Sequence, residues 1–164
     1  MLLMALSVIF PSVMVMAMIT DLRSFQIPNY LPLALVLVYP VAAFSAGLSW
    51  PPILWAFSLA GLVLVAAVIM FVMGIMGGGD GKLLAAAVLW TGQERLMEFL
   101  FITALAGGVL ALVLLLFRRL PLATALDRFP AMRQLHAKKQ DVPYAVAIGT
   151  SGLIVYPYLP IFAA

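Results

Sequence analysis

Two of the six acidic residues lie where long apolar runs end, and their carboxyl groups could take part in acid–base catalysis. Asp21 follows the first apolar run, and Asp80 follows a glycine stretch after the third. If the fold brings them together, both cannot ionise cheaply, so one carboxyl stays protonated. The ionised carboxylate could then activate a water while the protonated one polarises a peptide carbonyl. That arrangement hydrolyses a peptide bond by general acid–base catalysis, without a metal.

Simpler roles remain open for both aspartates. An aspartate at a membrane boundary can cap a helix or pair with a nearby base, and Arg23 and Lys82 are close in sequence. It can also carry a proton in an ion-coupled transporter, although no internal repeat is visible and both acids lie at one end of their helices. A third hypothesis is a non-catalytic subunit of a pilus or secretion apparatus. Composition alone favours a cap or an ion-coupling carboxylate over catalysis.

The glycines around Asp80 favour a catalytic role. The segment reads Gly77-Gly78-Gly79-Asp80-Gly81-Lys82. Glycine can adopt positive φ and admits close approach of another backbone, so an extended substrate could reach the carboxyl. The alternatives are a helix-breaking turn or a phosphate-binding loop. The phosphate-loop pattern is not matched, because Leu83 follows Lys82 where that pattern requires serine or threonine.

The elements that carry these residues are predicted to be membrane helices. The chain is 66% hydrophobic and only 9% charged, with a mean hydropathy of +1.19, whereas soluble domains carry about 25% charged residues. Apolar runs of about 20 residues cross a bilayer as helices. We predict one all-α polytopic membrane domain, residues 1–164, with about six spans at 2–20, 28–47, 51–76, 82–90, 96–117 and 143–160. Pro28 would lie in the first turn of the second span, and 118–142 would form an amphipathic cytoplasmic loop.

The distribution of basic residues predicts the orientation. With both termini outside, every Lys and Arg except Arg95 falls in an inner loop, as the positive-inside rule requires. Asp21 and Asp80 would then both lie at the cytoplasmic face. Trp50, Trp55 and Trp90 would lie near the outer ends of their spans as an aromatic belt.

Several classes of partner and cofactor are not expected. The net charge of +3 follows from the inner loops, so it gives no indication of nucleic-acid binding. The chain has no cysteine and one histidine, His136, which lies among cations. No set of zinc ligands can be assembled from these residues, and we expect neither a metal nor another cofactor.

Three segments resemble the type IV prepilin peptidases, a family of aspartic proteases. Gly77-Gly78-Gly79-Asp80 matches their G-x-G-D motif, and Gly81-Lys82-Leu83 continues it. The segment from Asp21 to Ile27-Pro28-Asn29 resembles their first aspartate segment. Pro143-Tyr144 followed by Ala147-Ile148 is similar to a stretch of their last helix.

The resemblance implies a peptidase of the bacterial inner membrane that removes short basic leaders from prepilins at the cytoplasmic face, cutting after a glycine. Its partners would be a prepilin or pseudopilin, the lipid bilayer and pilus assembly machinery. Asp21 and Asp80 would be catalytic. The active-site loop and substrate-binding residues would be Gly77, Gly78, Gly79, Gly81, Lys82, Pro28, Asn29, Pro143 and Tyr144.

One departure from the long members of that family narrows the resemblance. Those members carry an extra cytoplasmic segment with cysteine pairs and also N-methylate the trimmed pilin. Here only residues 22–27 separate Asp21 from the second predicted helix, and the chain contains no cysteine. The chain therefore resembles the short Tad/Flp-type form, and methylation is not expected.

Overall fold

A computed structural model of the protein describes residues 2–119 and 142–162, and this part of the chain is helical and contains no strand. The predicted amphipathic loop at 118–142 lies almost wholly outside it. The helices are α1 (Leu2–Ser7), α2 (Ile9–Ser24), α3 (Tyr30–Ser45), α4 (Trp50–Val72), α5 (Gly78–Arg119) and α6 (Ala145–Val155). Two 3-10 turns follow α6, at Tyr156–Tyr158 and Pro160–Phe162.

The first two predicted spans are recovered with shifted ends. Helix α2 continues one turn beyond the predicted end and includes Asp21. It ends where Phe25 adopts a left-handed conformation, with φ 53° and ψ 34°. Pro28 lies in the connection before α3 and not in its first turn, because α3 begins only at Tyr30. The connection after α2 is therefore short and places residues 25–29 beside the end that carries Asp21.

Helix α5 is two helical arms that reverse direction at Gly92. Gly92 has φ 60° and ψ −168°, which no helical residue adopts. A straight helix from Asp80 to Ala111 would be about 46 Å long, yet both residues line one cavity. Just after the turn, the Nε of Arg95 donates a hydrogen bond to the Tyr158 carbonyl at 3.3 Å. The first arm, residues 78–91, thus leads away from Asp21, and the second arm, residues 93–119, returns toward it.

Within residues 2–119 and 142–162, four helical stretches are long and apolar enough to cross a membrane: Ala5–Ser24, Trp50–Val72, Gly78–Phe117 and Ala145–Phe162. A shorter apolar helix covers Tyr30–Ser45. Large apolar side chains remain exposed along these helices; the side chain of Val72 on α4, for example, is 79% exposed. Such a surface suits lipid and not water.

Trp90 forms the centre of the buried core and is not part of an outer belt. Its side chain is fully buried, and its Nε1 donates a hydrogen bond to the Leu35 carbonyl at 3.0 Å. The rings of Phe10 and Tyr39 lie 5.4 and 5.8 Å from the Trp90 ring. The prediction of a belt position was therefore wrong for Trp90, because its position on the first arm faces α2 and α3. Trp50 and Trp55 are exposed.

Candidate active site

Asp21 lies on the last turn of α2, where its carboxyl meets the start of α6. Its side chain is buried, and its Oδ2 accepts a hydrogen bond from the backbone N–H of Ala145 at 3.0 Å. The first N–H groups of a helix have no partner within the helix and carry partial positive charge. The carboxyl therefore satisfies one of these groups and joins the first motif segment to the third.

Asp80 lies in the first turn of α5. Its Oδ1 is buried and has no hydrogen-bond partner among the described residues. A Cβ added to Gly77 would lie 2.7 Å from the Asp80 Oδ2, so any side chain at Gly77 would displace this carboxyl. Buried polar atoms without partners are few in native proteins, and each one calls for an explanation such as a catalytic role.

The two carboxyls share two cavities. Asp21 and Asp80 both line a cavity of about 560 Å³, here called the large cavity, and another of about 290 Å³, here called the small cavity. Beyond the two aspartates, the large cavity is lined by Phe25, Met70, Gly74, Ile75, Met76, Gly77, Ala111, Val142 and Tyr144. The small cavity is lined by Phe25, Gln26, Ile27, Asn29, Gly77, Gly78 and Gly79. The fold thus brings together the aspartates from two distant segments of the sequence.

Lys82 pairs with a residue of the first motif segment. Its Nζ donates a hydrogen bond to the Oδ1 of Asn29 at 3.0 Å, which ties the connection before α3 to the start of α5. Five of the predicted loop and substrate-binding residues line at least one of the two cavities: Gly77, Gly78, Gly79, Asn29 and Tyr144. The other four predicted residues, Gly81, Lys82, Pro28 and Pro143, are not among the lining residues.

The glycines beside Asp80 serve close packing, and none of them has positive φ. In this region positive φ occurs at Gly74, within the turn before α5. A Cβ on Gly81 would lie 2.8 Å from the Cβ of Ala67 on α4. A Cβ on Gly79 would lie 3.1 Å from the Cβ of Ile27. The absence of side chains at these positions therefore lets α5 pack closely against α4 and against Ile27.

Two features of the site were not identified from the sequence. Phe25 lines both cavities, and its left-handed conformation is unusual for a residue other than glycine. Tyr144 packs on Gly107 of the second arm, where an added Cβ would lie 2.6 Å from the Tyr144 hydroxyl oxygen. The spacing of the small residues Gly107 and Ala111 predicts close helix packing, but it does not indicate that Tyr144 is the packing partner. No sequence signal indicated the backbone of Phe25.

Comparison with known sequences places the chain in a protein family. Residues 8–112 match the type IV leader peptidase family. The chain belongs to this family. A curated relative is the "Prepilin leader peptidase/N-methyltransferase" of Bacillus subtilis (strain 168), 28% identical over 159 residues. The alignment covers 93% of this chain and 55% of the relative, so the chain spans about half the relative's length. No solved structure matches the chain significantly.

Membership of the type IV leader peptidase family confirms the resemblance read from the motifs. The matched residues include Asp21, Asp80 and the glycines beside them. Pro143 and Tyr144 lie beyond the last matched residue. The helix that follows them is joined to the matched part of the chain by the hydrogen bond between Asp21 and Ala145.

Proposed function

We propose that the chain is a membrane-embedded aspartic endopeptidase that removes the short basic leader from type IV, Flp-like prepilins. Asp21 and Asp80 form the catalytic pair. The observation that carries the proposal is that both carboxyls, supplied by different helices, line the same two cavities. A peptide that passes from one cavity to the other would present a backbone carbonyl to both side chains. Membership of the leader peptidase family supports the reaction class.

The surroundings of the two carboxyls suggest their separate roles. Asp21 accepts an N–H from the start of α6, an arrangement that stabilises a negative charge. We assign Asp21 as the base. Asp80 has a buried oxygen without a partner, which suits a protonated carboxyl that donates to an incoming carbonyl oxygen.

The reaction needs only water and these two groups. Asp21 takes a proton from the water as the water oxygen adds to the carbonyl carbon, and Asp80 gives its proton to the carbonyl oxygen. When the C–N bond breaks, Asp21 passes its proton to the leaving amine. Asp80 recovers a proton from the new hydroxyl, so both groups return to their starting states.

Six membrane crossings, with both termini outside, are part of the proposal. The turn at Gly92 divides Gly78–Phe117 into two arms, and Tyr30–Ser45 supplies a further apolar helix. The end of the fold that carries the aspartates also carries Arg23, Lys82 and Arg119, whereas Arg95 lies at the other end. The positive-inside rule then supports cytoplasmic aspartates at an inner bacterial membrane.

The remaining predicted residues are assigned by their positions. Gly77, Gly78, Gly79, Asn29 and Tyr144 would contact the substrate, because they line the cavities. Gly81 would hold the first arm of α5 against α4, and Lys82 would hold Asn29. Pro28 and Pro143 precede α3 and α6 and would set where these helices begin. Pilus assembly machinery is a further proposed partner.

Cleavage of a Flp-type prepilin by the purified protein in detergent tests the function. Asp21→Asn and Asp80→Asn should each reduce the rate by about a thousandfold or more, because an amide can serve neither as base nor as acid. The amide introduced by Asp21→Asn retains an oxygen that can accept the Ala145 N–H, so this variant should keep the contact with α6. Glu94→Gln is the matched control, since it makes the same carboxyl-to-amide change at an exposed residue. Near-normal turnover by either aspartate variant would refute its role, and no cleavage by the wild-type chain would favour a transporter or an assembly subunit.

A further inference from the structure

A third cavity, of about 440 Å³, lies between α3, α4 and the first arm of α5. We call it the apolar groove. Each helical segment contributes four residues at spacings i, i+3, i+4 and i+7, so each turns one face toward the groove for two turns, about 10 Å. The residues are Asn29, Pro32, Leu33 and Val36; Phe57, Ala60, Gly61 and Leu64; and Lys82, Ala85, Ala86 and Leu89.

The apolar groove begins beside the aspartates and leads away from them. Asn29 lines both the groove and the small cavity, so the two spaces adjoin at this residue. Lys82, hydrogen-bonded to Asn29, is the only charged residue that lines the groove in the described part of the chain. Beyond this polar mouth, the groove runs along the three helices toward Leu89. The apolar surfaces of these helices indicate that this part of the fold lies in the lipid bilayer.

We propose that the apolar groove binds the apolar helix of the substrate that follows the scissile bond. This inference rests on the proposed function and adds the binding site of the substrate's membrane segment. A chain that is cut between the carboxyls and continues into the bilayer must leave the small cavity along a path parallel to the protein's helices. The groove supplies that path, and helices dock into apolar grooves through side chains at i, i+3, i+4 and i+7.

Shape, and not hydrophobic transfer, would select the occupant of the groove. Lipid tails are as apolar as the groove, so helices associate in a bilayer through close packing against small residues. Four of the lining residues are small: Ala60, Gly61, Ala85 and Ala86. A Cβ on Gly61 would meet nothing within 4 Å, so its surroundings are open. A larger side chain at Gly61 can therefore fill the groove without moving the backbone.

The first experiment fills the groove with Gly61→Leu. Gly108→Leu is the matched control, because Gly108 is also helical and exposed, has nothing within 4 Å of an added Cβ and lines none of the three cavities. Two substrates are compared: a full-length Flp-type prepilin in detergent and a peptide that ends two residues after the scissile bond. For Gly61→Leu we expect KM for the prepilin to rise about tenfold or more, a size typical of pocket discrimination between side chains. The ratio of kcat/KM for the prepilin to kcat/KM for the peptide should fall by the same factor.

The outcomes separate the two proposals. If wild-type protein cleaves the prepilin but Gly61→Leu and Gly108→Leu behave alike, the groove is not the binding site and the proposed function stands. If wild-type protein cleaves neither substrate, the proposed function itself fails.

A second experiment leaves the glycines intact and so does not depend on how Gly61→Leu folds. A photo-crosslinking amino acid replaces Phe57, a groove residue, in the inactive Asp80→Asn protein mixed with prepilin. We expect crosslinks to the apolar segment of the prepilin, and fewer crosslinks when the photo-crosslinker replaces Phe101 on the exposed face of the second arm. Crosslinks from position 57 to phospholipid alone would overturn the proposal.

Discussion

Neighbouring glycines on the second arm of α5 should respond in opposite ways to the same substitution. A Cβ on Gly107 would lie 2.6, 2.7 and 2.8 Å from the Oη, Cζ and Cε2 of Tyr144. A Cβ on Gly108 would meet nothing within 4 Å. Because both glycines belong to one helix, the gain in helix propensity on replacement by alanine is about the same at the two positions, up to about 1 kcal/mol. The difference in unfolding free energy between Gly107→Ala and Gly108→Ala therefore measures the effect of the contact with Tyr144.

The size of that difference follows from the overlap. Carbon atoms pack at about 3.5–4.0 Å, so the ring of Tyr144 must retreat by about 1 Å. Overpacking of this kind costs about 1–3 kcal/mol. Gly108→Ala should be neutral or slightly stabilising. Gly107→Ala should lower the free energy of unfolding by about 1–3 kcal/mol relative to Gly108→Ala, or about 2–4 °C in Tm for each kcal/mol.

Thermal unfolding in detergent, followed by circular dichroism, measures the difference. Tyr144→Leu removes the three atoms that the added methyl group would meet, so the two alanine variants should differ by less than about 0.5 kcal/mol in that background. Equal Tm shifts for Gly107→Ala and Gly108→Ala in the wild-type background would refute the reasoning. A Tm difference between Gly107→Ala and Gly108→Ala that persists in the Tyr144→Leu background would also refute it.

Three other predictions address the carboxyl, the chemistry and the topology. The free energy of unfolding should be about 1–2 kcal/mol lower for Asp21→Ala than for Asp21→Asn, because only alanine leaves the Ala145 N–H unpaired. Equal Tm values for the two inactive variants would contradict this prediction. EDTA and 1,10-phenanthroline should leave the cleavage rate unchanged, since the chain has no cysteine and one histidine; a loss that zinc restores would overturn the metal-free mechanism. A cysteine at Gln93, unique in this cysteine-free chain, should react with an impermeant maleimide in intact cells, and one at Arg133 only after the inner face is opened. The reverse pattern would put the aspartates outside.

The sequence was informative wherever local composition determines structure. Apolar runs located the helices, but the break between α4 and α5 covers residues 73–77 and so comes earlier than the predicted break at Gly77–Gly79, because Gly78 and Gly79 already belong to α5. The short fourth run, which alone could not cross a bilayer, forms the first arm of α5. The chain reverses direction at Gly92 and continues as the second arm. The motifs singled out Asp21 and Asp80 as candidates, and the fold places both aspartates beside the same two cavities.

Long-range packing could not be read from the sequence. Trp90 resembles an interfacial tryptophan by its position near the end of an apolar run, yet Phe10 and Tyr39 enclose it. Nothing in residues 21–29 indicates that Phe25 adopts positive φ, because that conformation is rare for its residue type. The hydrogen bond from Ala145 to Asp21 joins residues from opposite ends of the chain, and only the assembled fold reveals it.

The turn at Gly92 also constrains how the chain enters the bilayer during synthesis. Residues 78–91 form a helix about 21 Å long, short of the roughly 30 Å of hydrocarbon that an independent span must cross. Such a segment partitions poorly when it leaves the ribosome alone. Paired with the longer second arm across a turn of one residue, it can enter as a helical hairpin whose two limbs cross together. The aspartate at its start would therefore reach the membrane boundary only after the second arm has been made.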